Sequence, residues 1–214
     1  MLVLENMVIT YSGLAFVRLS FGNLVIGVNP IAKTHKLKTS RFGADIAMSS
    51  LNNEAFNGVD ELSFGNKEAF VISSPGEYEY SEVFIKGYPS NGPRGAINTI
   101  YSFMLEGMHV VHLGALADKD LAPNILEEIS GADILFAPAG GEDTLDAKSS
   151  AKLAAALEPK IIIPLLYGES TNSDFLKEFL KEAGESKEAP QDKLSLKKKD
   201  LEDKMADIMV LNVS

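Results

Sequence analysis

The chain of 214 residues contains no cysteine, no tryptophan and three histidines. Without cysteine it has no disulfide, no thiolate nucleophile and no Cys-ligated zinc or iron–sulfur centre. No apolar run approaches the roughly 18 residues that a membrane-spanning helix needs. The start, MLVLENMVIT, shows neither a basic leader nor a small-residue cleavage site, so a soluble, cytoplasmic protein with no membrane partner is expected. Positive charge is also short: 20 Lys and Arg against 30 Asp and Glu leave a net charge of −10. That balance disfavours nucleic acid, whose binding draws on neutralising phosphates with cations. The basic clusters at Lys33 to Lys38 and Lys197 to Lys199 read as solvated faces, the second flanked by Asp192, Asp200, Glu202 and Asp203.

What is there is an apolar content of 45%, enough for one domain spanning 1–214. The first half reads as sheet. Val3 to Tyr11, Leu14 to Leu19 and Leu24 to Val28 carry strand patterns around a Phe21-Gly22-Asn23 turn, and Asn29-Pro30 stops the last. Residues 31–43 form a polar surface connection. Short strands follow at Ile46 to Met48, Glu68 to Ser73 and Val83 to Lys86, with Ser74-Pro75-Gly76 as a turn and Tyr88 to Ala96 as a loop rich in glycine and proline. Ile97 to Leu105 and Met108 to Leu113 form a hairpin around Glu106-Gly107.

The second half alternates helix and strand. Pro123 to Ile129 and Asp146 to Leu157 read as helices, Ile134 to Ala137 and Ile161 to Ile163 as buried strands. Ser173 is placed to cap a helix with a Phe175, Leu176, Phe179, Leu180 stripe ending at Gly184. A charged, exposed connection over 185–205 leads to a final strand within Met205 to Val213. Helices covering a sheet, an α/β (α+β) class, follow from this order.

The stretch from Ala44 to Gly58 has the form of an apolar strand emptying into a polar loop, where such folds place working groups. Ser49, Ser50, Asn52, Asn53 and Glu54 follow Met48 with one carboxylate and no histidine, a set poorly equipped to hold a cation. His112 ends an apolar strand and is the histidine best placed to enter a site; His109 lies on the opposite face, and His35 sits in a polar stretch. Glu77, in the Ser73 to Glu79 turn, is a candidate base or orienting group. Gly140 and Gly141 in AGGEDT precede a helix and offer backbone amides to an anion, without the lysine or spacing of a phosphate loop. No small-residue frame surrounds Ser49, Ser50, Ser73 or Ser74, so a serine hydrolase is disfavoured.

Taken in order, ITYSGLAFVRL, VIGVNP, ADIAMSS, VISSPGEYEYSEVFIKGYP, NTIYSF, HVVHLG and ADILFAPAGGEDTLDAKSSAKLAAALEPKIIIPLLYG resemble the metallo-β-lactamase fold superfamily, in its small UlaG-like or Zn-dependent hydrolase branch. The resemblance runs from Val8 to about Gly184. It implies a four-layer αβ/βα sandwich with metals at one edge between two sheets. It also implies that the metal set has mostly gone. The family's His-x-His-x-Asp-His run falls on Ser50, Asn52, Glu54 and Ala55, its opening-loop histidine on Leu14 or Ala15, and the aspartate of its Asp-Pro segment on Asn29. His112 matches a family histidine, whereas the bridging aspartate falls on Ala115 and the final histidine on Leu166.

The resulting expectation is a fold with no metal cofactor, acting as a non-catalytic structural, regulatory or ligand-binding protein. Its ligand-cleft candidates are Asn29, Ser50, Asn52, Glu54, His112, Gly140, Gly141 and Asp146, and its catalytic candidates are His112, Glu54 and Glu77. One alternative is a hydrolase with a displaced or mononuclear site, holding one Zn or other divalent metal near His112, Glu54 and Asp118 or Asp146. Another is a self-associating module, a homo-oligomer, in which Leu165 and Leu166 fill the old site or line a contact.

Overall fold

The computed structural model describes residues 6–141, 143–168, 174–185 and 190–214. The expected strand residues Val3 to Glu5, the loop residue Glu142 and the cap Ser173 lie outside them. The chain builds two sheets in succession. Strands β1 (Met7–Tyr11), β2 (Val17–Phe21), β3 (Leu24–Val28), β4 (Ile46–Met48) and β5 (Phe70–Ile72) form the first; β6 (Gly76–Tyr80), β7 (Val83–Asn91), β8 (Ile97–Leu105) and β9 (Met108–His112) begin the second. Helix α1 (Pro123–Ile129), β10 (Ile134–Pro138), α2 (Ala147–Ala156), β11 (Ile161–Leu165) and α3 (Asp174–Glu182) follow, and the chain ends with β12 (Leu194–Leu196) and β13 (Asp207–Ile208). The six-stranded sheet runs β12-β1-β2-β3-β4-β5, and the seven-stranded sheet β13-β11-β10-β9-β8-β7-β6.

Alternation decides what each sheet buries. In the first, Tyr11, Val17, Val28, Met48 and Ile72 stand in register across five strands, so all point to one face. In the second, Tyr101, His112, Phe136 and Ile163 do the same. These two rows face each other: the Tyr101 hydroxyl crosses the interface and donates to the Ser49 carbonyl at 2.7 Å. Helices cover the outer face of the second sheet, where α1 reaches it through Glu128, which accepts from Lys86 and Tyr88. The outer face of the first sheet carries the 3-10 turn Val59–Leu62. Gly27 makes room there, since a Cβ on it would collide with Leu62. The result is an α+β sandwich of the metallo-β-lactamase type.

Several boundaries differ from the sequence expectation for identifiable reasons. The strand expected from Leu14 starts at Val17, because 12–16 form a tight turn closed by Ser12 N–H to Phe16 C=O at 2.9 Å, with Leu14 at φ +53°. The loop expected over Tyr88 to Ala96 is largely strand, since β7 continues to Asn91 with Pro89 opposite Thr99. Proline is tolerated because β6 stops pairing at Gly87, leaving the remainder of β7 a sheet edge where a missing N–H costs nothing. The 185–205 stretch is not only an exposed connection: Leu196 pairs with Met7 and is 4% exposed, and Leu201 is buried. The final strand is shorter than expected, Asp207–Ile208, with Val213 bridging to Tyr11 separately.

One buried carboxylate fastens the C-terminal stretch to the second sheet. Asp133, before β10, accepts from Lys198 Nζ at 2.7 Å and the His109 backbone N–H at 2.8 Å, and pairs with Lys160 at 3.2 Å. Burial pushes its pKa up, but those donors outweigh it and hold the carboxyl below its ordinary value. Its stabilising contribution is therefore full above the unfolded-state pKa and is lost as pH falls through the folded value. Replacing Asp133 with Asn should cost about 2–3 kcal/mol in urea denaturation at neutral pH, by loss of charge-assisted bonds at a buried position. The deficit should shrink as pH falls through the lowered folded-state pKa, where the wild-type carboxyl also protonates.

Candidate functional site

The loops at one end of the two sheets meet through neutral hydrogen bonds. Asn29 follows β3 at φ +55°, is fully buried, and accepts from the Ser50 backbone N–H through Oδ1 at 2.7 Å. The Ser50 carbonyl in turn accepts from Thr99 N–H at 2.8 Å. Asn98 clamps the loop after β9, donating to Leu113 C=O at 2.9 Å and accepting from Ala115 N–H at 2.8 Å. Gly114 turns between them at φ +65°, and a Cβ there would collide with Ser50 Oγ and Asn98 Oδ1. Leu166, at φ +61° after β11, donates its N–H to Leu14 C=O at 2.6 Å. Asn29 Nδ2 and Ser50 Oγ are buried here without a hydrogen-bond partner among the described residues.

His112 sits at the centre of this junction, fully buried against the Phe136 ring at 5.4 Å between centroids. Gly114 N–H donates to its Nδ1 at 3.0 Å. That fixes the proton on Nε2, which donates to Ala15 C=O at 3.3 Å. Burial lowers the His112 pKa to about 4, against a partial upward pull from the Ala15 carbonyl. The ring is therefore neutral at physiological pH.

Beside the junction opens a cleft of about 530 Å³, within the range of small-molecule sites. Its apolar walls are Leu51, Phe56, Pro93, Leu166 and Phe175, and its polar groups are Asn52, Asn53, Arg94, Asp143 and Thr144. Gly140 and Gly141 complete the lining, with Gly140 at φ +144° and too close to Phe175 and Ala147 N to carry a side chain without a shift. Arg94 reaches across from the β7–β8 turn, and its Nη2 donates to Asp143 Oδ2 at 2.7 Å.

The residues expected from sequence divide sharply. Asn29, Ser50 and His112 come together at the junction, and Asn52, Gly140 and Gly141 line the cleft. Glu54 does not join His112: it is solvent-exposed, with its backbone carbonyl taking Ala32 N–H at 2.8 Å. Glu77 lies exposed on the edge strand β6, opposite Lys86 and outside the cleft lining. Asp146 caps α2, accepting from Ser149 N–H at 2.9 Å and Ser149 Oγ at 2.7 Å, bonds that lower its pKa. Asp118 closes a surface turn onto Asp120 N–H at 2.9 Å. His109 faces away from His112 and pairs with Ser102 Oγ at 2.8 Å. Among the described residues no group of three or more His, Asp or Glu converges as a metal-holding cluster. Leu165 is buried, and Leu166 is 7% exposed at the cleft wall, so both pack. Sequence reasoning did not single out Arg94, Asp143, Thr144 or Asn98; the lone cation in the Gly92 to Gly95 turn was the available signal.

Residues 8–166 match the Beta-lactamase superfamily domain. The chain belongs to this superfamily. A structure from Thermotoga maritima, named as a Zn-dependent hydrolase of the metallo-beta-lactamase superfamily, is 27% identical with a TM-score of 0.73, covering 96% of this chain and 98% of that one. Igni18, a metallo hydrolase from Ignicoccus hospitalis, shares the fold at 16% identity and a TM-score of 0.63, covering 98% and 96%. The UPF0173 protein PF0020 of Pyrococcus furiosus is 28% identical over 122 residues, 56% of this chain. The match spans only 55% of that relative's length. Among the described residues no helix is long and apolar enough to cross a membrane.

Of the positions that the resemblance assigns to metal ligands, Ala15, Asn29, Ser50, His112, Ala115 and Leu166 lie where the sheets meet, whereas Asn52 lines the cleft and Glu54 faces solvent. His112 is neutral and hydrogen-bonded through both ring nitrogens. Its depressed pKa has a measurable consequence. The unfolded chain binds a proton near pH 6.5 and the fold resists it down to about 4, so stability is full above 6.5 and is lost as pH falls through that window. The shift corresponds to about 3 kcal/mol. Stability measured against pH should show this loss in the wild type, and a His112→Gln variant should lack that share of the slope.

Proposed function

We propose that this protein is a metal-independent member of the superfamily that binds a small molecule in its cleft rather than hydrolysing it with metal-activated water. A hydrolytic zinc needs about three protein ligands and an open position for water. The observation that carries the reading is the state of His112. Nδ1 takes the Gly114 N–H and Nε2 gives its proton to Ala15, so the surviving ligand has no lone pair to offer a cation. The residues around it do not fit a metal either: Ala115 and Leu166 have no donor atoms in their side chains, Asn29 Oδ1 is engaged by Ser50 N–H, and Glu54 faces solvent.

The zinc- and metallo-hydrolase names of similar proteins are accordingly read as a shared scaffold rather than a shared reaction. A binding role is preferred to a purely structural one because the cleft stays open and partly polar beside the converted junction. Elemental analysis of untagged protein after exposure to excess zinc should give near-zero metal, and a chelator should leave its melting temperature unchanged. Tightly held stoichiometric metal with chelator-sensitive stability would replace this reading with that of a hydrolase using a displaced site.

A further inference from the structure

The chemistry of the cleft narrows its ligand, given the metal-independent binding role proposed above. Hydrogen bonds within the loop consume acceptors and leave donors. Asn53 Oδ1 is taken by Ala55 N–H at 2.9 Å, and Asn52 Oδ1 by Asn57 Nδ2 at 2.8 Å. Each amide nitrogen is thereby left without an acceptor among the described residues. Thr144 Oγ1 is buried without a partner among the described residues. Arg94 uses one guanidinium nitrogen on Asp143 and keeps further N–H groups, on a side chain that is 83% exposed.

Asp143 is the one carboxylate lining the cleft among the described residues, and it is already paired with that cation. The lining also includes Leu51, Phe56, Leu166 and Phe175, whose side chains offer only hydrocarbon. We infer that the cleft takes a small organic acid with an apolar body, its carboxylate displacing Asp143 from Arg94 and its body packing between Phe56 and Phe175. Arg94 is held ready for this exchange by its turn. Its own φ is +54°, and the turn is closed by Gly92 N–H to Ala96 C=O at 2.8 Å and Ala96 N–H to Pro93 C=O at 3.0 Å. A guanidinium presents paired N–H groups to a carboxylate in a matching plane, so an incoming acid can take over the contact that Asp143 now makes.

The test uses the full chain, treated with chelator and then desalted, with phenylacetate, phenylacetamide and 2-phenylethylamine titrated by calorimetry. Phenylacetate should bind about tenfold more tightly than the neutral amide, the difference expected of one charge-assisted contact. The amine should not bind. Arg94→Gln should weaken phenylacetate by a similar factor. Asp143→Asn should tighten it severalfold, because the internal competitor is gone, whereas a merely structural role for the ion pair predicts weaker binding. Equal affinity for acid and amide, preference for the amine, or weaker binding by Asp143→Asn overturns the inference. No binding of any probe also overturns it and leaves the metal-independent reading standing. Phenylacetate binding that appears only when zinc is restored overturns that underlying reading instead.

Discussion

The cleft depends on a junction of neutral hydrogen bonds at the ends of two sheets. Asn29, Ser50, Asn98, Gly114 and His112 each fasten one strand-end loop to another, and none carries a charge at neutral pH. The physical alternative at such a place is a set of carboxylates and imidazoles held together by a cation. A carboxylate buried there without its cation would cost several kcal/mol, far more than a typical neutral hydrogen bond returns. Loss of metal chemistry at such a junction is therefore coherent only when the ligand positions change together. Asn29, Ala115 and Leu166 place an amide and two aliphatic side chains there, and Asn29 Nδ2 and Ser50 Oγ are buried without a hydrogen-bond partner among the described residues.

Backbone strain survives at the same positions. Leu14, Asn29 and Leu166 all have φ between +53° and +61°, a region that asparagine tolerates and leucine enters at a cost of about 1 kcal/mol or more. Leu14 and Leu166 are bonded to each other through carbonyl and N–H. The Tyr11 hydroxyl adds a further bond to Leu14 C=O at 2.8 Å. The surrounding sheet over-determines these turns, so Leu14 and Leu166 keep this geometry although their side chains are aliphatic. Leu166 then serves the cleft as a wall.

Much of this was legible in the sequence. A strand with clean alternation, such as Met7–Tyr11, declares itself through one buried face. Pro89 was misread as loop because proline signals a break, and only the pairing shows that β6 ends before reaching it. The lysine-rich 185–205 stretch hid β12, since its three apolar anchors, Leu194, Leu196 and Leu201, are sparse among charges and acquire meaning only when β1 offers an edge. Glu54 looked like a site residue because its neighbours are; its side chain instead points to water on a loop whose backbone serves Ala32. Arg94 and Asp143, 49 residues apart on separate loops, have no local pattern linking them.

The Arg94–Asp143 pair also shapes selectivity. A carboxylate tethered within reach of a guanidinium competes as an intramolecular ligand, at an effective concentration on the order of millimolar. An incoming acid exchanges one exposed ion pair for another, so its charge favours it over a neutral analogue by no more than about tenfold. What decides occupancy is the apolar body, at about 25 cal/mol for each Å² removed from water against Leu51, Phe56 and Phe175. Small hydrophilic acids, abundant as they are in any cell, gain nothing from those walls and leave Asp143 in place. The internal carboxylate thus acts as a threshold: the charge sets which chemical class is admitted, and the hydrocarbon wall sets which of its members bind.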